Sequence, residues 1–359
     1  MASRRRVLIT GANGYIAAQA IARYLAAGWT VRGTVRDLNS TSVRELAAHF
    51  ASEQEAGRFE LVVVPDIKAP GAFDEAVKGV QAIAHLATPV VFDSGDVEYI
   101  VGTAVQGSLS ILESALRVAS EEKATVAEED RLRSFVFMSS VAAVRMNLPG
   151  PVTFTEKDWN TQAEAAVKEA GDEAFGHIIY AASKVASERA FWNWVEEKKP
   201  PFVATVLCPC WVAGPPAYLP SSPKGIAETN SFIWKVFSGQ DFPPGPSGYG
   251  THVDVRDVAR MTEWASSHPE IAGNERYIVG GNGNVGLPQA AADILRQAYP
   301  ERRHIIKEGT PGDGYLPNFA ADPQGVQVNS TKAVKATGQD WITYDKMVLD
   351  SAKLFEGFL

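Results

Sequence analysis

Short apolar runs alternate with longer amphipathic stretches through the first 207 residues of the chain. The apolar runs are rich in β-branched residues, and several lack polar alternation, as is typical of strands covered on both faces. The predicted strands are Arg6–Thr10, Thr30–Val35, Phe59–Val64, Ala82–Leu86, Ser134–Met138 and Phe202–Leu207. The predicted helices are Tyr15–Ala27, Thr41–Glu55, Ala72–Val77, Tyr99–Ala119 and Tyr180–Lys198. This alternation predicts parallel βαβ units.

The character of the chain changes after Leu207, where Pro, Gly and Ser become frequent. The elements predicted there are a helix at Ser231–Phe237, a strand at Arg276–Val279 and a helix at Pro288–Ala298. We therefore predict an α/β fold, a doubly wound parallel sheet with a smaller, loop-rich C-terminal lobe. The sheet domain covers residues 1–207 with about 251–267, and the lobe covers 208–250 and 268–359. The charged stretches Glu121–Arg133 and Gln162–Glu173 are interpreted as surface excursions.

Composition and charge narrow the class of protein. Of the 359 residues 45% are hydrophobic, and the formal net charge is −8, so no general basic field favours nucleic acid or an anionic membrane. No uncharged apolar run approaches the roughly 20 residues of a membrane span. The two cysteines, Cys208 and Cys210, are interpreted as buried thiols in a reducing compartment. The six histidines have no ligand spacing, so we predict no metal. The reduced thiols and the lack of a membrane-spanning run predict a cytoplasmic location.

A glycine-rich turn lies between the first predicted strand and the first predicted helix. Its residues are Gly11, Ala12, Asn13, Gly14, Tyr15, Ile16 and Ala17. Gly11 permits the tight turn, Gly14 lets the backbone approach a pyrophosphate, and Ala17 allows close packing of helix on strand. The N–H groups of the helix N-terminus favour an anion. We therefore predict that these residues bind a dinucleotide.

The end of the second predicted strand indicates which dinucleotide is bound. An acidic residue there binds the ribose of NAD, whereas an arginine accommodates the 2′-phosphate of NADP. If the strand ends at Val35, Arg36 takes the selecting position and Arg44 assists from the next helix. A shift of one residue would place Asp37 there instead. We favour NADPH.

A serine, a tyrosine and a lysine complete the candidate chemistry. Ser140 follows the fifth predicted strand, and Tyr180 and Lys184 lie one helical turn apart. An ammonium close to a phenol lowers the pKa of the phenol, so Tyr180 can deliver a proton to a carbonyl oxygen that Ser140 holds. Hydride would come from the nicotinamide.

With these features in this order, the chain resembles extended short-chain dehydrogenases/reductases from residue 7 to beyond 340. The fourth residue after Gly11 is Tyr15 and not another glycine, and this spacing is that of the extended type. Within the superfamily the chain is most similar to NADPH-dependent aldehyde and ketone reductases of fungi, and more distantly to plant dihydroflavonol 4-reductase and cinnamoyl-CoA reductase. The matching segments are Gly11–Ala17, Val31–Asp37, Phe73–Gly79, His85–Pro89, Phe135–Ser140, Tyr180–Lys184 and His252–Ala259.

The resemblance implies a Rossmann fold with Ser140, Tyr180 and Lys184 as the catalytic triad. Lys184 would also bind the nicotinamide ribose, and Cys210 would contact the cofactor through its backbone. One departure is Ala104, which stands where many members have an asparagine that supports a proton relay. The other residues implied to line the cofactor are Asp66, Ile67, Leu86, Ala87, Thr88, Pro209, Trp211 and Val212.

The substrate is expected over the nicotinamide, between the strand ends and the loop-rich lobe. An aromatic wall there would favour hydrophobic aldehydes, aryl ketones or β-keto esters, although the same side chains could equally form the core of the lobe. The candidate wall residues are Phe92, Val141, Trp211, Tyr218, Phe232 and Trp234.

The leading hypothesis is an NADPH-dependent reduction of a small carbonyl substrate to an alcohol. One alternative is a nucleotide-sugar epimerase or dehydratase with tightly held NAD, against which Arg36 stands in place of an acid. Another is a non-catalytic NADP-binding redox sensor, which would not need the tyrosine and lysine pair. The resemblance is compatible with a monomer or a homodimer.

Overall fold

A computed structural model describes residues 5–87, 96–242, 251–281, 286–320 and 324–359. The strands are β1 (Arg6–Ile9), β2 (Thr30–Val35), β3 (Phe59–Val63), β4 (Ala82–His85), β5 (Ser134–Met138), β6 (Val152–Phe154), β7 (Val203–Pro209), β8 (Trp211–Ala213), β9 (His252–Asp254), β10 (Glu275–Val279) and β11 (Val326–Val328). The α-helices are α1 (Tyr15–Ala26), α2 (Thr41–His49), α3 (Ala51–Glu55), α4 (Val97–Glu122), α5 (Thr161–Ala170), α6 (Gly176–Lys198), α7 (Ser231–Phe237), α8 (Val255–Ser267), α9 (Pro269–Ala272), α10 (Pro288–Ala298), α11 (Thr331–Thr337) and α12 (Tyr344–Phe355). None of the described helices is both long and apolar enough to cross a membrane.

The chain forms two compact units. The first comprises residues 1–147, 157–208 and 262–277, and the second comprises 148–156, 209–261 and 278–359. The boundaries predicted from the sequence place 148–156 and about 251–267 with the sheet domain, whereas 148–156 and 251–261 group with the second unit and 262–277 with the first. In the structure β6 pairs with β11, which explains why 148–156 groups with the second unit.

A seven-stranded sheet in the order β10-β7-β5-β4-β1-β2-β3 forms the centre of the first unit. The β1–β2, β1–β4, β2–β3, β4–β5 and β5–β7 pairs are parallel. This order confirms the predicted doubly wound α/β sheet, and the strand order reverses between β1 and β4. Because β1, β4 and β5 are nearly or fully buried, their side chains apart from Arg6, His85 and Ser134 are apolar without alternation.

Some predicted helix bounds differ from those of the structure. The predicted helix Ala72–Val77 is wrong, because the chain makes successive turns between Gly71 and Gly79, whose φ values are +74° and +66°. So short a segment between two left-handed glycines gives little support to a helix. Phe73 and Val77 are nevertheless buried. The spacing of the apolar residues therefore indicates which side chains are buried, although the segment is not helical.

Two other stretches differ from the prediction: one contains a helix that was not predicted, and one predicted helix is divided in two. The stretch Gln162–Glu173, interpreted only as a surface excursion, contains α5. The side chain of Asn160 caps this helix by accepting the N–H of Ala163 at 3.0 Å. The predicted helix Thr41–Glu55 is divided into α2 and α3 at the buried Phe50.

The second unit has its own apolar core. Helices α7, α10 and α12 surround fully buried side chains such as Phe237, Leu295 and Phe355. Two short two-stranded sheets, β8–β9 and β6–β11, belong to the same unit. In its described residues the unit is therefore built on helix packing, and the strands β6, β8, β9 and β11 have three residues each.

A buried histidine lies within the second unit. His252 is 1% exposed and packs against the rings of Phe232 and Tyr344. Neither ring nitrogen has a hydrogen-bond partner among the described residues. Burial lowers the pKa of His252 from its usual 6.5 to about 3, so the ring is neutral at neutral pH.

We expect acid to destabilise the chain through this ring. Between pH 6.5 and 3 the unfolded state binds a proton at residue 252 that the folded state does not. The free energy of unfolding therefore rises with pH in this window and decreases as the pH falls. The change amounts to at most about 1.4 kcal/mol per pH unit. Urea unfolding of His252→Leu at pH 6, 5 and 4 should show a shallower pH dependence than the parent chain.

The same substitution at the exposed His304 is the matched control and should leave the slope of the parent chain. An equal slope in His252→Leu and the parent would show that His252 is not held neutral.

Candidate active site

The glycine-rich turn joins β1 to α1 in the first unit. Gly11 has a φ of +66°, and a Cβ atom placed on it would lie 3.2 Å from the Cα of Ala87. A side chain at this position would therefore be strained and would press on the segment after β4. Gly14 begins α1 without a capping side chain, and the first turn of the helix contains no acidic residue. This N-terminus suits a phosphate group.

Thr10, a residue that the sequence analysis did not single out, fixes the segment after β4. Its Oγ1 accepts the N–H groups of Leu86 at 3.0 Å and Ala87 at 2.9 Å. The same hydroxyl lies 3.0 Å from Nδ1 of His85. Burial, and secondarily the charge of Lys184, lower the pKa of His85 to about 3, so this ring is neutral. Thr10 can then donate to Nδ1 while it accepts both backbone groups.

The loop after β2 separates the two candidate selecting residues. Because β2 ends at Val35, Arg36 follows directly and is exposed. The guanidinium of Arg36 has no partner among the described residues. Asp37 instead accepts the backbone and side-chain N–H groups of Asn39 at 2.9 and 3.1 Å. This contact closes a local turn, so the carboxylate of Asp37 is already engaged.

The neighbouring loop residues are tied to α2. Arg44 donates to the carbonyl of Asn39 at 2.9 Å and lies 3.4 Å from Oγ1 of Thr41. Asn13 of the glycine-rich turn donates to the hydroxyl of Ser42 at 2.9 Å. The turn after β1 and the start of α2 are thereby joined.

Two further predicted cofactor residues follow β3. Asp66 is exposed, and its Oδ1 accepts the N–H of Lys68 at 2.9 Å. The side chain of Ile67 packs where a Cβ on Gly107 of α4 would lie, 2.7 Å from that position. The absence of a side chain at Gly107 therefore makes room for Ile67. Thr88, also predicted to line the cofactor, lies outside the described residues.

The predicted triad residues belong to the first unit. Ser140 follows β5, and its Oγ accepts the N–H of Ala142 at 3.1 Å at the start of a 3₁₀ helix, Val141–Ala143. That short helix packs against α6, which carries Tyr180 and Lys184. The structure therefore brings the segment after β5 onto the helix that bears the other two residues.

Lys184 is the most deeply buried member of the triad. It is 4% exposed, and its ammonium lies 5.7 Å from the centre of the Tyr180 ring and 3.4 Å from the carbonyl of Met138. Burial lowers the pKa of Lys184 to about 8, while Glu188 favours the charged form. The ammonium can therefore stabilise a phenolate at Tyr180 at neutral pH.

Ala104, which replaces the asparagine expected from the family resemblance, lies on α4 and is 4% exposed. The hydroxyl of Ser108 donates to the carbonyl of Ala104 at 2.7 Å. Val141, a predicted wall residue, is 4% exposed in the first unit.

Tyr15 and Ile16 form the start of α1 in the first unit, and Phe92 lies outside the described residues. The predicted site residues from Pro209 onward belong to the second unit. Trp211 begins β8 and donates its indole N–H to the carbonyl of Thr229 at 2.8 Å. Phe232 is part of the apolar core, and Trp234 packs on the rings of Phe355 and Phe358. Pro209 ends β7, Val212 is buried in β8, and Tyr218 is half-buried.

Sequence comparison identifies related proteins. The chain matches the NAD dependent epimerase/dehydratase family over residues 7–280. Aldehyde reductase 2 of Sporidiobolus salmonicolor is 30% identical over 69% of this chain and 70% of its own. The putative NADPH-dependent methylglyoxal reductase GRP2 of Candida albicans is 26% identical over 98% of both chains.

Solved structures agree with the sequence relatives. The structure of yeast methylglyoxal/isovaleraldehyde reductase Gre2 complexed with NADPH has a TM-score of 0.80 and 27% identity, over 99% of this chain and 100% of that chain. The family match spans well over half of the sequence. The chain therefore belongs to the NAD dependent epimerase/dehydratase family, the extended short-chain dehydrogenases/reductases, and to its branch similar to fungal aldehyde reductases and ketoreductases.

Proposed function

We propose that this protein reduces aldehydes or ketones to alcohols with NADPH. The observation that carries the proposal is the pairing of Tyr180 with a buried Lys184 on α6, beside the segment that holds Ser140. The names of the aldehyde reductase and methylglyoxal reductase relatives support the same reaction class.

The chemistry follows from the positions of the three side chains. Ser140 would donate a hydrogen bond to the substrate carbonyl oxygen, and Tyr180 would give that oxygen its phenolic proton. Lys184 would stabilise the phenolate that remains, because a buried positive charge acts strongly on a neighbouring anion. NADPH, when bound, supplies the hydride that the carbonyl carbon receives.

The preference for NADPH rests on the loop after β2. Arg36 has no partner among the described residues, whereas the carboxylate of Asp37 is occupied by Asn39. Arg32 of β2 is also occupied, since it donates to the carbonyls of Ala76 and Lys78 at 2.8 Å each. An unpaired guanidinium at this point is suited to the 2′-phosphate of NADPH.

The proposed substrates are hydrophobic aldehydes, aryl ketones and β-keto esters. The partly exposed aromatic candidates Trp211 and Tyr218, together with the reductase names of the relatives, support this class. A cytoplasmic location and a monomeric or homodimeric state stay predictions from the sequence.

Initial rates of NADPH and NADH oxidation test the proposed function directly. Each cofactor is supplied with an aromatic aldehyde, an aryl ketone and a β-keto ester, and the secondary alcohols formed from the ketone and the ester are analysed for handedness. We expect turnover that prefers NADPH and gives one enantiomer of each secondary alcohol. No turnover with any carbonyl would contradict the proposal. NAD retained through purification would favour the epimerase alternative, and tight NADPH binding without turnover the redox sensor.

A further inference from the structure

A buried ion pair lies one helical turn beyond Lys184. Glu188 of α6 is completely buried, and Arg276 of β10 has a side chain that is 7% exposed. Nε of Arg276 lies 2.6 Å from Oε1 of Glu188, and Nη2 lies 3.1 Å from Oε2. Charges this deeply buried are retained in proteins only when they are paired, so each side chain depends on the other.

Glu188 contacts the residue before the catalytic serine. Its Oε2 accepts the hydroxyl of Ser139 at 2.6 Å, and Ser139 is itself 2% exposed. Its Oε1 accepts the indole N–H of Trp192 at 3.3 Å. The thiol of Cys208, at the end of β7, lies 3.8 Å from Oε2. Glu188 therefore joins α6 to the carboxyl ends of β5 and β7.

Arg276 contacts the segment after the catalytic serine. Its guanidinium stacks 4.1 Å from the ring centre of Trp159 and donates to the carbonyl of Asp158 at 2.5 Å. Nη2 lies 3.5 Å from the carbonyl of Ala143, the last residue of the 3₁₀ helix. The ion pair thus holds the chain on both sides of Ser140.

Glu188 is also the anion that acts on Lys184. Burial raises the pKa of the Cys208 thiol, with a further contribution from Glu188, so Cys208 is neutral where Lys184 titrates. His85, on β4, is neutral because burial lowers its pKa to about 3. Of the neighbours that influence Lys184, Glu188 is therefore the one that carries a negative charge at neutral pH and favours the ammonium.

Two other acidic groups packed against α6 contact residues of that helix other than Lys184. Glu164 of α5 forms an ion pair with Arg189 at 3.0 Å. Glu113 of α4 accepts the indole N–H of Trp194 at 2.6 Å, two turns or more beyond Lys184. Tyr180 lies one turn before Lys184 on the same helix, and the other titratable groups of that helix lie near its two ends: His177, Glu196, Glu197 and Lys198.

We propose that Glu188, held by Arg276, is a positioning residue that fixes the segment around Ser140 on α6 and keeps Lys184 charged. Neither side chain touches the reacting atoms in this scheme. The inference rests on the proposed function, because it assigns to the ion pair the support of the same triad.

The first test is the pH dependence of kcat/KM for carbonyl reduction in Glu188→Gln and Arg276→Met. Glu188→Gln removes the anion and leaves the guanidinium, so Lys184 loses its proton more easily. The alkaline limit of activity should move to lower pH by about one unit, a tenfold change in proton affinity. Arg276→Met leaves Glu188 fully buried without its partner, which favours the protonated carboxyl group, so the limit should again move to lower pH. Glu164→Gln is the matched charge control and should leave the limit in place.

Ser139→Ala separates the structural role from the electrostatic one. It keeps both charges and removes only the hydrogen bond to Glu188. We expect kcat to fall by about three- to tenfold with no shift of the alkaline limit. An unchanged kcat in Ser139→Ala would overturn the positioning role.

The ionisation of Tyr180 gives a second measurement that does not require turnover. It is followed as the difference in phenolate absorbance between each protein and the same protein with Tyr180→Phe. Glu188→Gln should form the phenolate at higher pH than the parent chain. If the parent reduced no carbonyl, the proposed function would fail while this titration still decided the role of Glu188.

Equal alkaline limits and equal phenolate titrations in the parent and the Glu188→Gln variant would overturn the electrostatic role. If Glu188→Gln does not accumulate as folded protein, Arg276→Met decides alone, because a limit that stays in place or moves to higher pH contradicts the inference.

Discussion

Tyr180→Phe should lower kcat/KM for carbonyl reduction by about 10²- to 10⁴-fold, the usual contribution of a positioned general acid. The substitution removes one hydroxyl and keeps the ring, which lies half-buried on α6 with the Lys184 ammonium 5.7 Å from its centre. The proton for the substrate oxygen then has to come from water. The measurement is the initial rate of NADPH oxidation with the best carbonyl found for the parent chain.

The same change at Tyr99 is the matched control. Tyr99 is 56% exposed on α4, so Tyr99→Phe should keep the parent rate. NADPH binding, followed by its fluorescence, should be similar in both variants, which separates a loss of chemistry from a loss of binding. Parent-like turnover by Tyr180→Phe would eliminate this residue as the proton donor.

Arg36→Ala should weaken NADPH binding by about 10- to 100-fold and leave NADH binding almost unchanged. One charge-assisted contact to a phosphate is worth about 1.5–3 kcal/mol, which corresponds to this range of dissociation constants. Because the site is exposed, the effect should shrink as salt is added. Dissociation constants for both cofactors at low and high ionic strength provide the measurement.

Two further variants show whether the effect belongs to the loop after β2. Arg58→Ala removes an arginine paired with Glu53 before β3, and it should not change cofactor choice. Asp37→Ala should leave NADH binding intact, because that carboxylate is already engaged by Asn39. Loss of NADH binding in Asp37→Ala, together with unaltered NADPH binding in Arg36→Ala, would reverse the assignment of the selecting residue.

The central sheet could be predicted from the sequence because its strands are buried on both faces. Ile83 and Phe135, for example, are fully buried and belong to apolar runs that stand out from the helices around them. The strands β6, β8, β9 and β11 have three residues each, which is too few for a periodic pattern. The helix α5 did leave a local signal, since Asn160 is a favourable N-cap three residues before Ala163.

The candidate site was predictable only where spacing along the chain corresponds to proximity in space. Tyr180 and Lys184 lie four residues apart on one helix face, so their pairing follows from the sequence. Glu188 and Arg276 are 88 residues apart, and nothing in either neighbourhood indicates a partner. Thr10 was missed because its side chain hydrogen-bonds the backbone after β4. Nothing in the sequence distinguishes a threonine with this role from any other small polar residue at the end of a strand.

The two cysteines make the chain a convenient reporter of local opening. Cys208 is fully buried at the end of the first unit, and Cys210 is 4% exposed near the start of the segment that continues in the second. Since an alkylating reagent reacts only with an accessible thiolate, each sulfur is shielded in the folded chain. Chains that keep only one of the two thiols would therefore report, through their labelling rates, how often each unit opens. A cysteine introduced on an exposed surface would react against almost no background from the native pair.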